Sequence, residues 1–203
     1  MNIRALAVGA TALAVMFTAT ACGDSETDAT VATSTVTSEA DVTTEAAHND
    51  ADVMFAQMML PHHVQALEMS DLVLADDGVP AEVRDLAEQI KAAQGPEIAQ
   101  LEDWLGRWDV PVDTSAGHHD RPDSAGMAGM LSDDELQALA DAEGTEAARM
   151  FLEQMIVHHE GAVVMAQTQI DEGRFPDAVA MAHVIVDTQQ QEIDTMHRML
   201  TEL

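Results

Sequence analysis

The chain has 203 residues and a formal net charge of −29, from 37 Asp and Glu against 8 Lys and Arg. So little positive charge excludes a protein that binds nucleic acid through its phosphates. Hydrophobic residues make up 47% of the chain, enough to bury a core, and aromatic residues only 3%, which favours an aliphatic helical bundle over a β-sandwich or barrel. The unusual feature is 14 methionines and 9 histidines beside one cysteine.

The first 21 residues have the pattern of an export signal. Arg4 is followed by an apolar, uncharged run that ends in small residues at Ala21, and Cys22 comes next. A basic start, an apolar stretch and small residues before the cleavage point are typical of secretory signals, and a cysteine at that point resembles a bacterial lipoprotein. We therefore expect residues 1–21 to be a signal peptide, and Cys22 to carry a lipid that anchors the protein to the outer face of the cell membrane. A plain signal peptide or an uncleaved anchor is the alternative.

Residues 22–49 are predicted to form a solvated acidic tether. The segment contains no Lys or Arg and is rich in Thr, Ser, Ala and acidic residues. Such a composition cannot bury enough apolar surface to offset the entropy lost on ordering. The folded domain is therefore expected to span residues 50–203.

That domain contains an internal duplication. Residues 54–63 (MFAQMMLPHH) match residues 150–159 (MFLEQMIVHH) at an offset of 96, with Met, Phe, Met, His and His identical. A Gln-x-x-Glu-Ile sequence then occurs at 94–98 and again at 189–193, at an offset of 95. Each repeat reads as a pair of helices, so the fold class expected is all-α, a four-helix bundle built from two duplicated helix pairs.

Apolar spacing predicts where these helices lie. Buried-type residues recur at steps of three and four from Phe55 through Met59 and His62 to Met69, as they do on one face of a helix. The pattern predicts helices near residues 50–75, 80–108, 145–171 and 176–202. Gly95-Pro96 is expected to bend or break the second helix, and Pro61 raises the same question for the first.

A long loop is predicted between the repeats. Residues 110–130 are rich in Gly, Pro, Ser and Asp. Ser132 and Glu135 then have the spacing of a capping box, which predicts a short helix to about Ala140. A loop of this length inside a compact domain is often functional.

Methionine and histidine define the candidate chemistry. The spacing places His62 and His158 toward the bundle interior and the adjacent His63 and His159 at its flank, since neighbouring residues on a helix point about 100° apart. If a pseudo-twofold axis relates the repeats, the two Met-His-Met faces meet. Thioether and imidazole together suit Cu(I) and Ag(I), and suit Mg, Ca or Mn badly. The methionines that accompany the inner histidines are Met59, Met69, Met155 and Met165.

Other candidate ligands and a plainer interpretation remain open. The loop carries His118-His119 and a Gly-Met-x-Gly-Met sequence at 126–130, and the last helix carries His183 and His197. Methionine also fills gaps in helical cores, and a histidine on an apolar face is often only packed there. A structural or interaction protein without metal is therefore the second hypothesis.

Several enzyme classes lack their motifs. His159-Glu160 does not extend to His-Glu-x-x-His because residue 163 is Val, and the chain has no P-loop, nucleophile elbow or Gly-x-Gly-x-x-Gly. The two repeats hold no Glu-x-x-His pair of the kind that binds di-iron, which leaves a ferritin-like iron protein as a weaker alternative. We do not expect an enzyme.

The doubled Phe-x-x-x-Met-x-x-His-His-x-x-Ala-x-x-Met sequence and the Gly-Met-x-Gly-Met loop resemble the DUF305 family. The resemblance covers roughly residues 50–203 and implies a ferritin-like four-helix fold with the long loop and short helix between the pairs. Some members are similar to periplasmic copper-binding proteins with Met and His ligands. The ligands implied here are Met59, His62, His63, Met69, Met155, His158, His159 and Met165, with Met127 and Met130 in the loop.

These observations predict an extracytoplasmic lipoprotein that binds copper, chiefly Cu(I), and buffers, sequesters or transfers it. The partners expected are the metal ion, the membrane through Cys22, and either a second copy of the chain or a copper-handling protein. Nucleic acid is not among them.

Overall fold

The computed structural model describes residues 47–112 and 128–203. These residues form five helices and no strand, which confirms the all-α class. The four long helices begin and end within one or two residues of the predicted positions. The helices are α1 (Asp50–Leu74), α2 (Ala81–Arg107), α3 (Asp133–Asp141), α4 (Gly144–Glu172) and α5 (Pro176–Glu202).

The duplicated pairs pack through their first helices. α1 lies against α2, α4 lies against α5, and α1 and α4 pack together at the centre. The start of α1 clusters with the end of α4, so the central helices are antiparallel. The short α3 lies across α1 and α4, and begins with the predicted capping box between Ser132 and Glu135.

Both prolines lie inside unbroken helices. The sequence predicted a bend or a break at Gly95-Pro96, and the break does not occur, since α2 continues through Pro96, as α1 does through Pro61. An interior proline removes one backbone hydrogen bond. In α2 the carbonyl left without its usual donor belongs to Ala92, an exposed residue that water can reach.

A buried carboxylate fixes the start of α1 to the turn between α4 and α5. Asp52 is fully buried, and its oxygens accept hydrogen bonds from the Gln169 side chain at 2.5 Å and from the backbone N–H groups of Arg174 and Phe175 at 3.1–3.2 Å. It also accepts from the N–H of Asn49, whose side chain caps α1 in return.

The core is divided into two apolar clusters along the bundle. One contains Phe55–Leu60 of α1 with the second half of α4, and the other contains Ala66–Val73 of α1 with the first half of α4. Between them lies a layer of polar side chains contributed by all four long helices. That layer, which we call the polar layer, consists of His62, His63, Gln94, Glu97, His158, His159, Gln189 and Glu192.

No helix in the described ranges is both long and apolar enough to span a bilayer. The predicted signal peptide, Cys22 and nearly all of the tether lie outside the described residues, as does most of the predicted loop.

Candidate metal centre

Two histidines meet at the contact between α1 and α4. The rings of His62 and His158 lie with their centroids 3.7 Å apart and their planes tilted by 38°. Both side chains are buried. The expectation that the two Met-His-Met faces meet is therefore confirmed at this pair.

Their sequence neighbours face the outer helices. His63 Nε2 lies 2.7 Å from Glu97 Oε2 on α2, and His159 Nε2 lies 2.7 Å from Glu192 Oε2 on α5. His63 and His159 were predicted at the flank, yet both are fully buried because α2 and α5 cover them. The two carboxylates keep partial contact with solvent, with side chains 19% and 14% exposed.

The polar layer is incompletely hydrogen-bonded. A buried polar atom without a partner costs about 1–3 kcal/mol, so native proteins hold few of them. Here the unpartnered atoms concentrate on the four rings and a neighbouring amide. They include His62 Nδ1, His63 Nδ1, both ring nitrogens of His158, His159 Nδ1 and both amide atoms of Gln94.

Burial keeps the central pair uncharged. Desolvation lowers the pKa of His62 to about 3, with a further contribution from His63, while the Ala128 carbonyl opposes the shift. Desolvation also holds the pKa of His158 well below its ordinary value, with His62 as the next cause. The backbone of His62 approaches the His158 ring without the geometry of a hydrogen bond. Neutral imidazole is the form that binds a metal ion.

The predicted methionines flank the pair on both sides. Met59 and Met155 precede the inner histidines by three residues, on the same helix face, and both are completely buried. Met69 and Met165 follow by seven residues, which places them about 10 Å further along the helix axis. All four methionines pack in the apolar clusters. Helical spacing alone therefore favours Met59 and Met155 over Met69 and Met165 as neighbours of the pair.

A strap of four residues, Ala128–Leu131, covers the pair. The Ala128 carbonyl accepts a hydrogen bond from His62 Nε2 at 3.2 Å, and the Gln65 side chain pairs with both the N–H and the C=O of Leu131 at 2.8 and 2.9 Å. Gly129 has a φ of 86°, and a Cβ at Gly161 would collide with the Ala128 carbonyl. Two glycines therefore allow the strap to lie directly on α4.

The remaining predicted ligands lie elsewhere or outside the described residues. Met130 belongs to the strap and is partly buried, whereas Met127 and the loop histidines are not described. His183 and His197 of α5 are exposed. Sequence reasoning missed Glu97, Glu192 and Gln65 as parts of this site. The repeated Gln-x-x-Glu-Ile sequence was the signal that contained the first two.

The described residues contain no group of three or more His, Cys, Asp or Glu side chains arranged to hold a metal ion. The donors that the structure brings together are two central imidazoles with unpartnered nitrogens, and buried methionines lie one helical turn before each of them. This set of imidazole nitrogens and thioether sulfurs suits a soft metal ion of low coordination number.

The fold and the site together define a class of protein, a helical bundle with histidines and methionines at its centre. The family model for a domain of unknown function, DUF305, matches residues 52–200. The chain therefore belongs to the DUF305 family.

Solved structures agree with this assignment. A DUF305 fragment from Deinococcus radiodurans is 37% identical, with 76% of this chain and 98% of that chain covered at a TM-score of 0.67. A DUF305 protein from Streptomyces coelicolor is 33% identical, with 75% and 91% covered at a TM-score of 0.66. CopM in a Cu(II)-bound form is 30% identical, with 74% and 96% covered at a TM-score of 0.62. CopM has also been solved with Cu(I) and with Ag. No curated protein matches this chain.

Proposed function

We propose that this protein binds copper, chiefly Cu(I), at the His62–His158 contact, and that it buffers, sequesters or transfers the ion without catalysing a reaction. The observation that carries the proposal is a pair of buried, neutral imidazoles whose free nitrogens have no protein partner. A metal ion would satisfy these atoms. The copper- and silver-bound forms of CopM support the choice of metal.

Met59 and Met155 are the thioether ligands that fit best beside the pair. Cu(I) accepts two to four soft ligands, and both sulfurs belong to side chains on the ligand face one turn before a histidine. The acidic surface raises the local concentration of cations at neutral pH. Export and lipid attachment at Cys22 remain part of the proposal and place the site outside the cytoplasm.

The test is a competition titration of the full chain against a chromophoric Cu(I) chelator. The chain carries Cys22→Ser, because a free thiolate would itself bind Cu(I). His62→Gln/His158→Gln removes the central pair and Met127→Leu/Met130→Leu removes loop thioethers, while His183→Gln/His197→Gln is the matched control for loss of two histidines. We expect the first variant to weaken binding at least about 100-fold, a loss of ~2.7 kcal/mol, and the control to leave it unchanged.

Equal affinity in the parent and the His62→Gln/His158→Gln variant would refute a copper site at the pair. A loss confined to the Met127→Leu/Met130→Leu variant would move the site to the loop. Circular dichroism and thermal melts of each variant separate loss of ligands from loss of fold.

The structural alternative rests on the dense packing of the same residues. Met59, Met69, Met155 and Met165 all belong to the apolar clusters, as core methionines do. That hypothesis predicts that His62→Leu/His158→Leu stabilises the fold, because the substitutions remove unpartnered polar atoms. It also predicts that the affinity for copper does not change. The proposed function predicts loss of copper binding in the same variant.

A further inference from the structure

We propose that the strap Ala128–Leu131 is an access gate for the central pair, and that it is seated on one position of the duplicated helices that differs between the repeats, Gln65 in α1 and Gly161 in α4. The inference concerns regulation of the copper site and rests on the function proposed above. A gate controls how fast an ion enters and leaves the site, and it leaves the equilibrium affinity unchanged.

The first step is that the strap closes the pair to solvent. His62 and His158 are 0% and 1% exposed. The Ala128 carbonyl lies 3.2 Å from His62 Nε2, and a Cβ at Gly129 would come within 2.9 Å of the His158 Cα. The strap therefore lies directly on both central residues, and an ion in solvent reaches neither ring while the strap and the helices are in place.

The second step is the construction of the seat. Gln65 and Gly161 occupy the same position in the two repeats, at the offset of 96. In the first repeat the long side-chain amide binds the N–H and the C=O of Leu131 at 2.8 and 2.9 Å. In the second repeat the glycine leaves room for the Ala128 carbonyl, with which a Cβ would collide. One repeat thus binds the end of the strap, and the other accommodates its start.

The third step is that the strap is the cover that opens most easily. Within the described residues, no backbone–backbone hydrogen bond joins the strap to α1 or α4, and the side chains of His62 and Gln65 hold it instead. Leu131 is the only buried residue of the four. The other covers, α2 and α5, pack against α1 and α4 through both apolar clusters. Segments with few buried contacts open locally at a lower free energy than packed helices do.

The fourth step is that the docked strap leaves donor atoms for an ion. His62 Nδ1 and both ring nitrogens of His158 have no hydrogen-bond partner while the strap is in place. An ion bound through these atoms does not displace the Ala128 carbonyl, so the strap closes over the empty and the loaded site alike. A segment that favours neither state changes the rates of entry and exit but not their ratio.

The first test measures access in the metal-free protein. Diethyl pyrocarbonate modifies accessible imidazoles, and peptide mass spectrometry of the full chain carrying Cys22→Ser gives the rate at each histidine. We expect the central pair to react about 100-fold more slowly than His183, which is exposed. Gln65→Leu should accelerate modification of the pair about tenfold or more and leave the rate at His183 unchanged. The matched control is Gln57→Leu, at an exposed position of α1, which should change neither rate.

The second test measures the rates of copper transfer. A chromophoric Cu(I) chelator in stopped-flow mixing follows transfer into the protein and out of it. Gln65→Leu is expected to accelerate both directions about tenfold or more, and to change the affinity by less than about threefold. Gly161→Ala disturbs the seat on α4 instead of the seat on α1 and should act in the same direction. Thermal melts show whether both variants are folded.

Parental rates for Gln65→Leu in either experiment would overturn the inference. A loss of affinity through faster exit alone would also overturn it, because that pattern belongs to a segment that forms part of the binding site. If the parent protein itself fails to compete for copper, the proposed function fails. The reactivity of the central pair with diethyl pyrocarbonate still decides, in that case, whether the strap controls access.

Discussion

The buried central histidines couple the stability of the metal-free protein to pH. Since the pKa of His62 is about 3 in the folded state and the unfolded value is near 6.5, the unfolded chain binds a proton first as the pH falls. His158 shifts in the same direction. The stability associated with these neutral rings is therefore complete above pH 6.5 and is lost progressively below it.

We predict that the free energy of unfolding falls by about 2 kcal/mol per central histidine between pH 7.5 and pH 5. Denaturant unfolding of the metal-free Cys22→Ser chain measures it. His62→Gln/His158→Gln should flatten the dependence, whereas His183→Gln/His197→Gln, which replaces exposed residues, should retain it. The lowered pKa values of Glu135 and Asp76 act only at lower pH and do not obscure this range. An unchanged pH dependence in the first variant would contradict the assignment.

The contact between His62 and His158 could be predicted because helical spacing and an internal duplication can both be read directly from the sequence. A stripe that contains His62 and a copied stripe that contains His158 must meet once two repeats pack face to face. The partners of His63 and His159 could not be found in that way. Glu97 and Glu192 lie more than 30 residues away on other helices, and only the rotation of α2 and α5 about their axes determines what they contact.

The strap Ala128–Leu131 is the element that closes the central pair from one side. It is held by Gln65, by His62 and by direct contact with α4 at Gly161. The position of the strap depends on Gly129 and Gly161, and intrinsic residue propensities do not predict that these two glycines lie in contact with other segments.

Gly161→Ala is predicted to displace the strap and to destabilise the fold by about 1–3 kcal/mol, since the added Cβ collides with the Ala128 carbonyl. Amide hydrogen exchange at Leu131, whose N–H donates to Gln65, should accelerate. The matched control is Gly95→Ala, where a Cβ meets nothing within 4 Å and the change should stabilise α2 by up to about 1 kcal/mol. Unaltered exchange at Leu131 in Gly161→Ala would show that the strap tolerates the methyl group.

The contact between α1 and the α4–α5 turn depends on one carboxylate. Asp52→Ala removes the buried acceptor of three backbone N–H groups and of the Gln169 amide, so we predict a loss of about 3 kcal/mol in the free energy of unfolding. Thermal or denaturant unfolding tests it. Asp50→Ala, in the same first turn but exposed, should cost no more than about 1 kcal/mol. Equal losses in the two variants would mean that the buried network contributes nothing.

At the scale of the described domain, the sequence predicts the helices and their pairing. Periodicity and turn residues define α1, α2, α4 and α5, and the capping box at Ser132 defines the start of α3. A break at Pro96 was one of the two predicted outcomes and does not occur, although the proline removes one backbone hydrogen bond from α2. The division of the core into two apolar clusters with a polar layer between them is a tertiary property.

This architecture determines how copper ligands in the two repeats depend on each other. His62 belongs to the first repeat and His158 to the second, and their rings are in contact across the interface of α1 and α4. A single ion held by both is a shared site. The losses in binding free energy caused by substituting two ligands of one shared site are strongly non-additive, because the loss of either ligand already disrupts the site.

We therefore predict that His62→Gln and His158→Gln each weaken Cu(I) binding by about 100-fold, and that the double variant is weaker by no more than about tenfold again. Chelator competition on the Cys22→Ser chain, run for all four members of the cycle, gives both affinity and stoichiometry. Independent sites in the two repeats would give a different pattern, in which each single variant loses one copper equivalent and the remaining equivalent binds as before. The ring centroids lie only 3.7 Å apart at one helix interface, so the cycle should show one shared site.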